Sequence, residues 1–150
     1  MADIKSPEDR SYNMSRIRNK DTKPEEFIRK LFYEMGYRYR KNVTNVPGHP
    51  DAWFARYKVA LFVNGCFWHR HENCRYASIP KSRVEFWQEK FDRNVERDKK
   101  VRGELMGKGI RILIIWECTT KRMKKSGEYR DLVTEKVKCF FNSDADILEL

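Results

Sequence analysis

Residues 58–77 read KVALFVNGCFWHRHENCRYA. The first six, Lys58 to Val63, form a short apolar run of strand length. An unbroken run of this kind marks a strand buried on both faces, as at the centre of a sheet. The run opens into a polar loop holding Cys66, Phe67, Trp68, His69, His71 and Cys74. A second apolar run, Ile110 to Trp116, ends just before another cysteine, Cys118. Two buried strands, each followed by soft metal-ligating groups, set the frame for the rest of the chain.

Cys66, His71 and Cys74 follow a C-x4-H-x2-C spacing, and Cys118 supplies a fourth ligand. Zinc takes four tetrahedral nitrogen and sulfur donors, and a site filled by protein ligands alone is structural. The competing reading is a set of buried or incidental thiols. The chain has four cysteines in all, and Cys139 reads as a core residue of the last helix. No export signal is visible in MADIKSPEDR. With histidines interleaved among the cysteines, this favours reduced thiols and metal over disulfides, and a cytoplasmic setting.

Outward from this frame, helices and strands follow from local signals. Ser6-Pro7-Glu8 starts a polar, cationic helix over about residues 7–18, with Met14 and Ile17 one turn apart. It has little to bury, so residues 1–20 read as an arm. Thr22 and Glu25 form a T-x-x-E capping box. The helix after them carries Phe27, Ile28, Leu31, Phe32 and Met35 on one stripe and stops at Gly36. Tyr37 to Arg40 alternates as a strand, Pro47-Gly48 marks a turn, and Asp51 to Phe54 begins a short strand. Ser82 to Glu85 is a second capping box, opening a long helix to about Met106. Leu132, Val133, Val137, Phe140 and Phe141 belong to a last helix, and residues 142–150 are an acidic tail. The order predicts one three-layer α/β domain over residues 1–150, with a mixed central sheet.

Charge points to the partner. Lysine and arginine number 32 against 22 acids, a net charge of +10. A basic surface of this size favours a polyanion, with DNA or RNA the default and a soluble basic, ribosomal or membrane-surface protein the alternative. No apolar run approaches the roughly 18 residues of a membrane span.

Three further residues carry candidate chemistry. Asp51 follows Pro50 at the head of a strand. Metal-dependent nucleases place an acid there to hold Mg²⁺ against a phosphate, and the carbonyl of Val63 could join it. The plain alternative is a turn residue. His69, as a neutral imidazole, could take a proton from water, or it is a surface histidine or alternative zinc ligand. Asp98 shares a helix face with Trp87 and Phe91, and needs a partner there. His69 is one, and a salt bridge to Arg97 or Arg102 is the other. Phe67 and Trp68 are adjacent rings in a polar loop, placed to stack on or wedge between bases.

The segments RSYNMSRI, KDTKPE, PGHPDAWF, NGCFWHRH, EFWQEKFDRNVERD and RILIIWEC run in this order from residue 10 to 118. Together they resemble the very-short-patch mismatch repair endonucleases, the Vsr family. The resemblance implies the type II restriction endonuclease fold and a nick in one DNA strand, 5′ to the T of a T·G mismatch left by 5-methylcytosine deamination. It implies that Asp51 and the Val63 carbonyl bind Mg²⁺, that His69 is the general base oriented by Asp98, and that Glu25 organises waters around the metal. Locally, Glu25 is fully accounted for by its capping box. Cys66, His71, Cys74 and Cys118 would hold zinc. Phe67, Trp68 and Trp87 would form a wedge, Met14 and Ile17 would press into the minor groove, and Lys90 and Asn94 would read the mispaired bases. The implied partner is double-stranded DNA, with mismatch-repair proteins beside it. The enzyme would be a monomer in the bacterial or archaeal cytoplasm, at the nucleoid.

Departures are visible. The loop is one residue longer before Cys74, Arg70 interrupts a run of histidines, and Asn64 stands where the family has histidine. Two other functions use part of the pattern. A non-catalytic zinc-stabilised DNA-binding module needs the basic surface and the rings but not Asp51, His69 and Asp98 together. A restriction endonuclease on unmodified duplex needs no wedge.

Overall fold

The computed structural model describes residues 21–150. The proposed arm, with Met14 and Ile17, lies outside them. Helix α1 spans Lys23–Glu34 and begins as its capping box predicts. Thr22 accepts from the Glu25 amide at 3.4 Å, and the Glu25 carboxylate accepts from the Thr22 amide at 2.5 Å. The helix ends at Met35, and Gly36 takes the left-handed φ of 98° that lets the chain turn away.

Five strands follow in spatial and sequence order: β1 Arg40–Lys41, β2 Ala52–Phe54, β3 Val59–Asn64, β4 Arg111–Trp116 and β5 Ile147–Glu149. β1, β2 and β3 pair antiparallel, and β3, β4 and β5 pair parallel. Parallel neighbours need long crossovers. Helix α2, Val84–Gly107, connects β3 to β4. Helices α3, Glu117–Lys125, and α4, Gly127–Phe141, connect β4 to β5.

The period of two along β3 and β4 divides the core. Val59, Leu61, Leu113 and Ile115 face Ile28 and Phe32 of α1, Met123 of α3, and Val133, Val137, Phe140 and Phe141 of α4. Ala60, Ile112, Ile114 and Trp116 face the other way, against Val46, Leu105 of α2 and Cys66. This is the expected three-layer arrangement around a mixed sheet. Among the described residues, no helix is long and apolar enough to cross a membrane.

Several local expectations change. Of Tyr37 to Arg40, only Arg40 is in a strand. Tyr37 packs instead on Phe141, with ring centroids 4.4 Å apart, and Tyr39 on Phe54 at 5.6 Å. Burying a ring against the aromatic core outweighs a short edge pairing. The cap of the second helix shifts by one residue, from Ser82 to Arg83. Arg83 holds the cap position at φ 54°, ψ 44°, without a side-chain cap bond, and its guanidinium lies 4.3 Å from the Phe86 ring. Cys139 is exposed, because α4 turns Val133, Val137, Phe140 and Phe141 inward and leaves it on the outer face. Cys118 starts a helix rather than ending a strand. The acidic tail contains β5. Its backbone closes the outer edge of β4, with Ile112 donating to Asp146, Leu150 to Ile114 and Trp116 to Leu150 at 2.8–2.9 Å.

Leu61 is fully buried in the central strand. Leu61→Ala should lower stability by about 2–5 kcal/mol in urea unfolding at fixed metal content. A loss below 1 kcal/mol would mean that this face of the sheet repacks freely.

Candidate active site

The candidate residues gather at one end of the sheet, where β2 begins and the parallel strands β3 and β4 end. Ligand sites in open α/β sheets form beyond the carboxyl ends of parallel strands. Asp51 is tied there by two bonds to β3. Its amide donates to the Leu61 carbonyl at 2.9 Å, and its carboxylate accepts from the Val63 amide at 2.7 Å.

Asp51 meets a second acid. Glu25, only 4% exposed, caps α1 and also shares a side-chain hydrogen bond with Asp51. The capping role of Glu25 therefore holds, and the same carboxylate also lies against Asp51. One turn along α1, the buried Arg29 donates to the Asp51 carbonyl at 3.2 Å and to Asp21 at 2.8 Å, and Asn42 also donates to Asp21. Burial pushes the Asp51 carboxyl up to about 9, and the bond to Glu25 and its negative charge add to this. The Val63 amide and Arg29 oppose the shift without reversing it. Two acids this close hold either a shared proton or a cation between them.

Beside them lies a cleft of about 420 Å³. Asp51, Val63 and Asn64 line its strand side, and Asn94, Arg97, Asp98 and Arg102 line its α2 side. His69 reaches in from the loop, and its Nδ1 lies 2.7 Å from Asp98 Oδ2. Asp98 thus takes the histidine rather than Arg97 or Arg102. In the neutral ring this bond fixes the proton on Nδ1 and leaves the Nε2 lone pair free as an acceptor.

The loop that carries His69 is held twice. Cys66, His71, Cys74 and Cys118 bring their ligand atoms within 4.8 Å of one another, a cluster that could bind a metal ion. His71 Nδ1 is 3.6 Å from Cys66 Sγ and 3.4 Å from Cys118 Sγ, and its ring stacks on Trp116 at 4.1 Å and 6°. Burial raises the Cys66 thiol to about 12 and also raises Cys118. For Cys74 burial works upward, but hydrogen bonds from the Tyr76 amide and its neighbours win and lower it. Independently, Arg70 donates to the carbonyls of Phe67, Ser78 and Ala77 at 2.7–3.1 Å and lies 4.0 Å from the Phe91 ring.

Phe67, Trp68 and Trp87 form one half-exposed aromatic group, with centroids 5.1–5.8 Å apart, seated on the buried Phe91. Lys90 Nζ is 5.3 Å from the Trp68 ring, and Asn94 donates to the Trp68 carbonyl at 3.0 Å. The sequence reading missed Arg29, the Arg70 clamp and His49, which also lines the cleft. Arg29 had a signal, since it lies four residues after Glu25 on the same helix face.

The raised Asp51 pKa has a consequence for stability. Unfolded, an aspartate titrates near ~3.9, so between there and about 9 the folded state holds the extra proton. Its contribution is full below the lower value and is lost as pH rises toward the upper one. In buffer free of Mg²⁺ and Ca²⁺, Asp51→Asn should therefore flatten the decline of stability with pH. The change should reach at most about 1.4 kcal/mol per pH unit in urea unfolding. Identical pH profiles for the two proteins would mean that Asp51 is ionised when folded.

A family model described as DNA mismatch endonuclease Vsr matches residues 2–75. A type II nicking enzyme from Xanthomonas oryzae pv. oryzae is 42% identical over 118 residues, covering 79% of this chain and 86% of its own. Another, from Neisseria meningitidis, is 39% identical over 138 residues, covering 92% and 98%. The DNA mismatch endonuclease Vsr of Escherichia coli is 36% identical over 138 residues, covering 92% and 86%. With similarity of this extent across nearly the whole chain, the protein belongs to the Vsr family of DNA mismatch endonucleases.

Proposed function

We propose that this protein is a Mg²⁺-dependent DNA endonuclease that nicks one strand 5′ to the T of a T·G mismatch arising from 5-methylcytosine deamination. The observation that carries the reading is one cleft lined by both the His69–Asp98 pair and Asp51, with the buried Glu25 bonded to Asp51 behind it. A non-catalytic binding module has no use for either pair, and burying them costs stability.

Hydrolysis of a phosphodiester needs an activated water and relief of the charge that develops at phosphorus. His69 Nε2 takes a proton from water, and Asp98 stabilises the imidazolium that results. The water oxygen bonds to phosphorus as the bond to the leaving sugar oxygen breaks. The oxygen donors of Asp51 and Glu25 suit a hard divalent cation, whose charge would offset the unfavourable closeness of the two acids. Asp51 and the Val63 carbonyl would hold Mg²⁺, which supplies charge neutralisation at the phosphoryl oxygens. Glu25 would accept hydrogen bonds from waters on that ion.

Zinc fits the other cluster. Tetrahedral zinc with bonds of ~2.3 Å to sulfur and ~2.0–2.1 Å to nitrogen sets sulfur–nitrogen edges of roughly 3.6 Å. The observed separations are 3.4 and 3.6 Å. Cys66, His71, Cys74 and Cys118 would fill its coordination, so its role is structural.

Phe67, Trp68 and Trp87 stand beside the cleft as the wedge, and a mismatch is where unstacking costs least. Lys90 and Asn94 lie next to Trp68, where they can meet the mispaired bases. Residues 1–20, with Met14 and Ile17, serve as a DNA-contacting arm on a single domain of the restriction endonuclease type. The protein acts as a monomer in the bacterial or archaeal cytoplasm, alongside mismatch-repair proteins. The half-exposed wedge favours this reading over a restriction endonuclease on unmodified duplex.

A nicking assay with Mg²⁺ on matched and T·G duplexes in several sequence contexts tests the proposal. The T·G strand should be cut and the matched duplex spared. Asp51→Ala should abolish nicking and keep duplex binding. His69→Ala should lose about 10²-fold or more in rate, and Asp98→Asn should also lose activity through the wrong tautomer. Unchanged nicking by Asp51→Ala or His69→Ala would remove that residue from the mechanism.

Metal analysis should find about one zinc per chain. Cys118→Ala should lose that zinc and much of the protein's stability, and full retention of both would refute the ligand set.

Trp68→Ala should reduce the preference for T·G over T·A more than it reduces affinity for matched duplex, because the latter is mainly electrostatic. Titration of both duplexes over a salt series decides this. Equal weakening on both would return Trp68 to a packing role.

A further inference from the structure

Asp98 has one carboxylate and three candidate cations near it in sequence or space: Arg97, Arg102 and His69. It takes His69 at 2.7 Å. That leaves two guanidinium groups on the same wall of the cleft with little to do. Arg97 is exposed and makes no ion pair or side-chain hydrogen bond among the described residues. Arg102 reaches only Glu149 Oε1, at 3.9 Å, with both side chains about 40% exposed. Such a contact contributes little. Glu149 is in any case engaged elsewhere, since its Oε2 accepts from Trp116 Nε1 at 2.9 Å.

Both arginines line the cleft that holds Asp51 and His69. Asn94, Arg97, Asp98, Val101, Arg102 and Leu105 are spaced three and one residues apart along α2, so they share one helix face. At 1.5 Å per residue, Arg97 and Arg102 are displaced by about 7.5 Å along the axis. That is comparable with one phosphate-to-phosphate step of a nucleic-acid strand. The cleft also presents the carboxylates of Asp51 and Asp98, which repel a polyanion. Cations on the same lip are needed to offset them, and guanidinium forks match phosphate oxygens in shape and charge.

We infer that Arg97 and Arg102 form a phosphodiester-binding rim, gripping backbone phosphates of the nicked strand on either side of Asp98. The inference rests on the reading of the cleft as a DNA-cleaving site, and it adds two substrate-contacting residues that act on the strand's backbone rather than its bases.

The test is binding to a matched duplex over a salt series, so its outcome is independent of whether a T·G duplex is nicked. Arg97→Ala and Arg102→Ala should each lower the slope of log affinity against log salt by about 0.9, and the double variant by about twice that. The loss should be alike across duplex sequences. On a T·G substrate, KM should rise by more than kcat falls. Arg97→Lys and Arg102→Lys should keep most of the slope, which guards against a folding defect in the alanine variants. Lys136→Ala, on α4 across the sheet, should leave it unchanged. Glu149→Gln removes the Arg102 ion pair while keeping an oxygen for Trp116 Nε1, and should also leave the slope intact. The rim is overturned by an unchanged slope in the double variant. It is also overturned if Glu149→Gln reproduces Arg102→Ala, or if the loss is confined to one base sequence. If the slopes fall as expected but no T·G duplex is nicked, the rim stands and the mismatch reading fails.

Discussion

The parallel pairing of β3 with β4 sets the position of everything that follows. Its register ends with Asn64 opposite Trp116. Two residues beyond each lie Cys66 and Cys118, and the Cys118 amide donates to the Cys66 sulfur at 3.4 Å. A shift of one residue would turn the alternate side chains of β3 to the wrong face and part the two cysteines. On the other side of β3, its antiparallel register with β2 places Val63 where it can donate to Asp51, and the loop after β3 brings His69 to α2. The in-register apolar strands, buried on both faces, are therefore the constraint on which the candidate site depends.

The site itself concentrates unfavourable electrostatics. Glu25 and Asp51 are acids forced together, Arg29 is a guanidinium buried beside them, and His69 and Asp98 are only a third exposed. A domain stabilised by marginal differences tolerates such a cluster only when neighbours over-determine it. Here they do. Glu25 is held by its cap, Arg29 by Asp21 and the Asp51 carbonyl, and Asp51 by two backbone bonds to β3. The fold itself thus supplies the bonds that place these groups, the kind of preorganisation that electrostatic catalysis requires.

The cysteine-rich loop shows the same over-determination by two unrelated means. The Cys/His cluster closes it onto the first turn of α3, and Arg70 ties three of its carbonyls while stacking on Phe91 of α2. Arg70 lies between His69, which faces the cleft, and His71, which faces the cluster. Its left-handed φ of 52° turns the chain between these two directions. An arginine at this point serves the loop as a bracket that a shorter ring could not replace, because only a long guanidinium reaches three carbonyls and a ring face together.

The sequence alone was sufficient for features decided within one element. The Thr22–Glu25 cap, the amphipathic stripe of α1, the two central strands and the crossover helix depend on spacing and propensity, which are local. The Cys/His cluster was also legible, because the chemistry of those residues limits their uses. Features decided between elements were not. Asp98 could pair with His69 or with either arginine until α2 and the loop were placed against each other. Glu25 was fully explained as a cap, and only the docking of α1 against β2 brought it to Asp51. Tyr37 and Tyr39 alternate as a strand would, yet the aromatic core claimed them. Cys139 turned outward because α4 had bulkier rings and aliphatics to bury. The acidic tail became a strand because the outer edge of β4, too apolar to face water, needed its backbone groups paired. In each case a contact between segments distant in sequence outweighed the local preference, and such contacts exist only once the chain has folded.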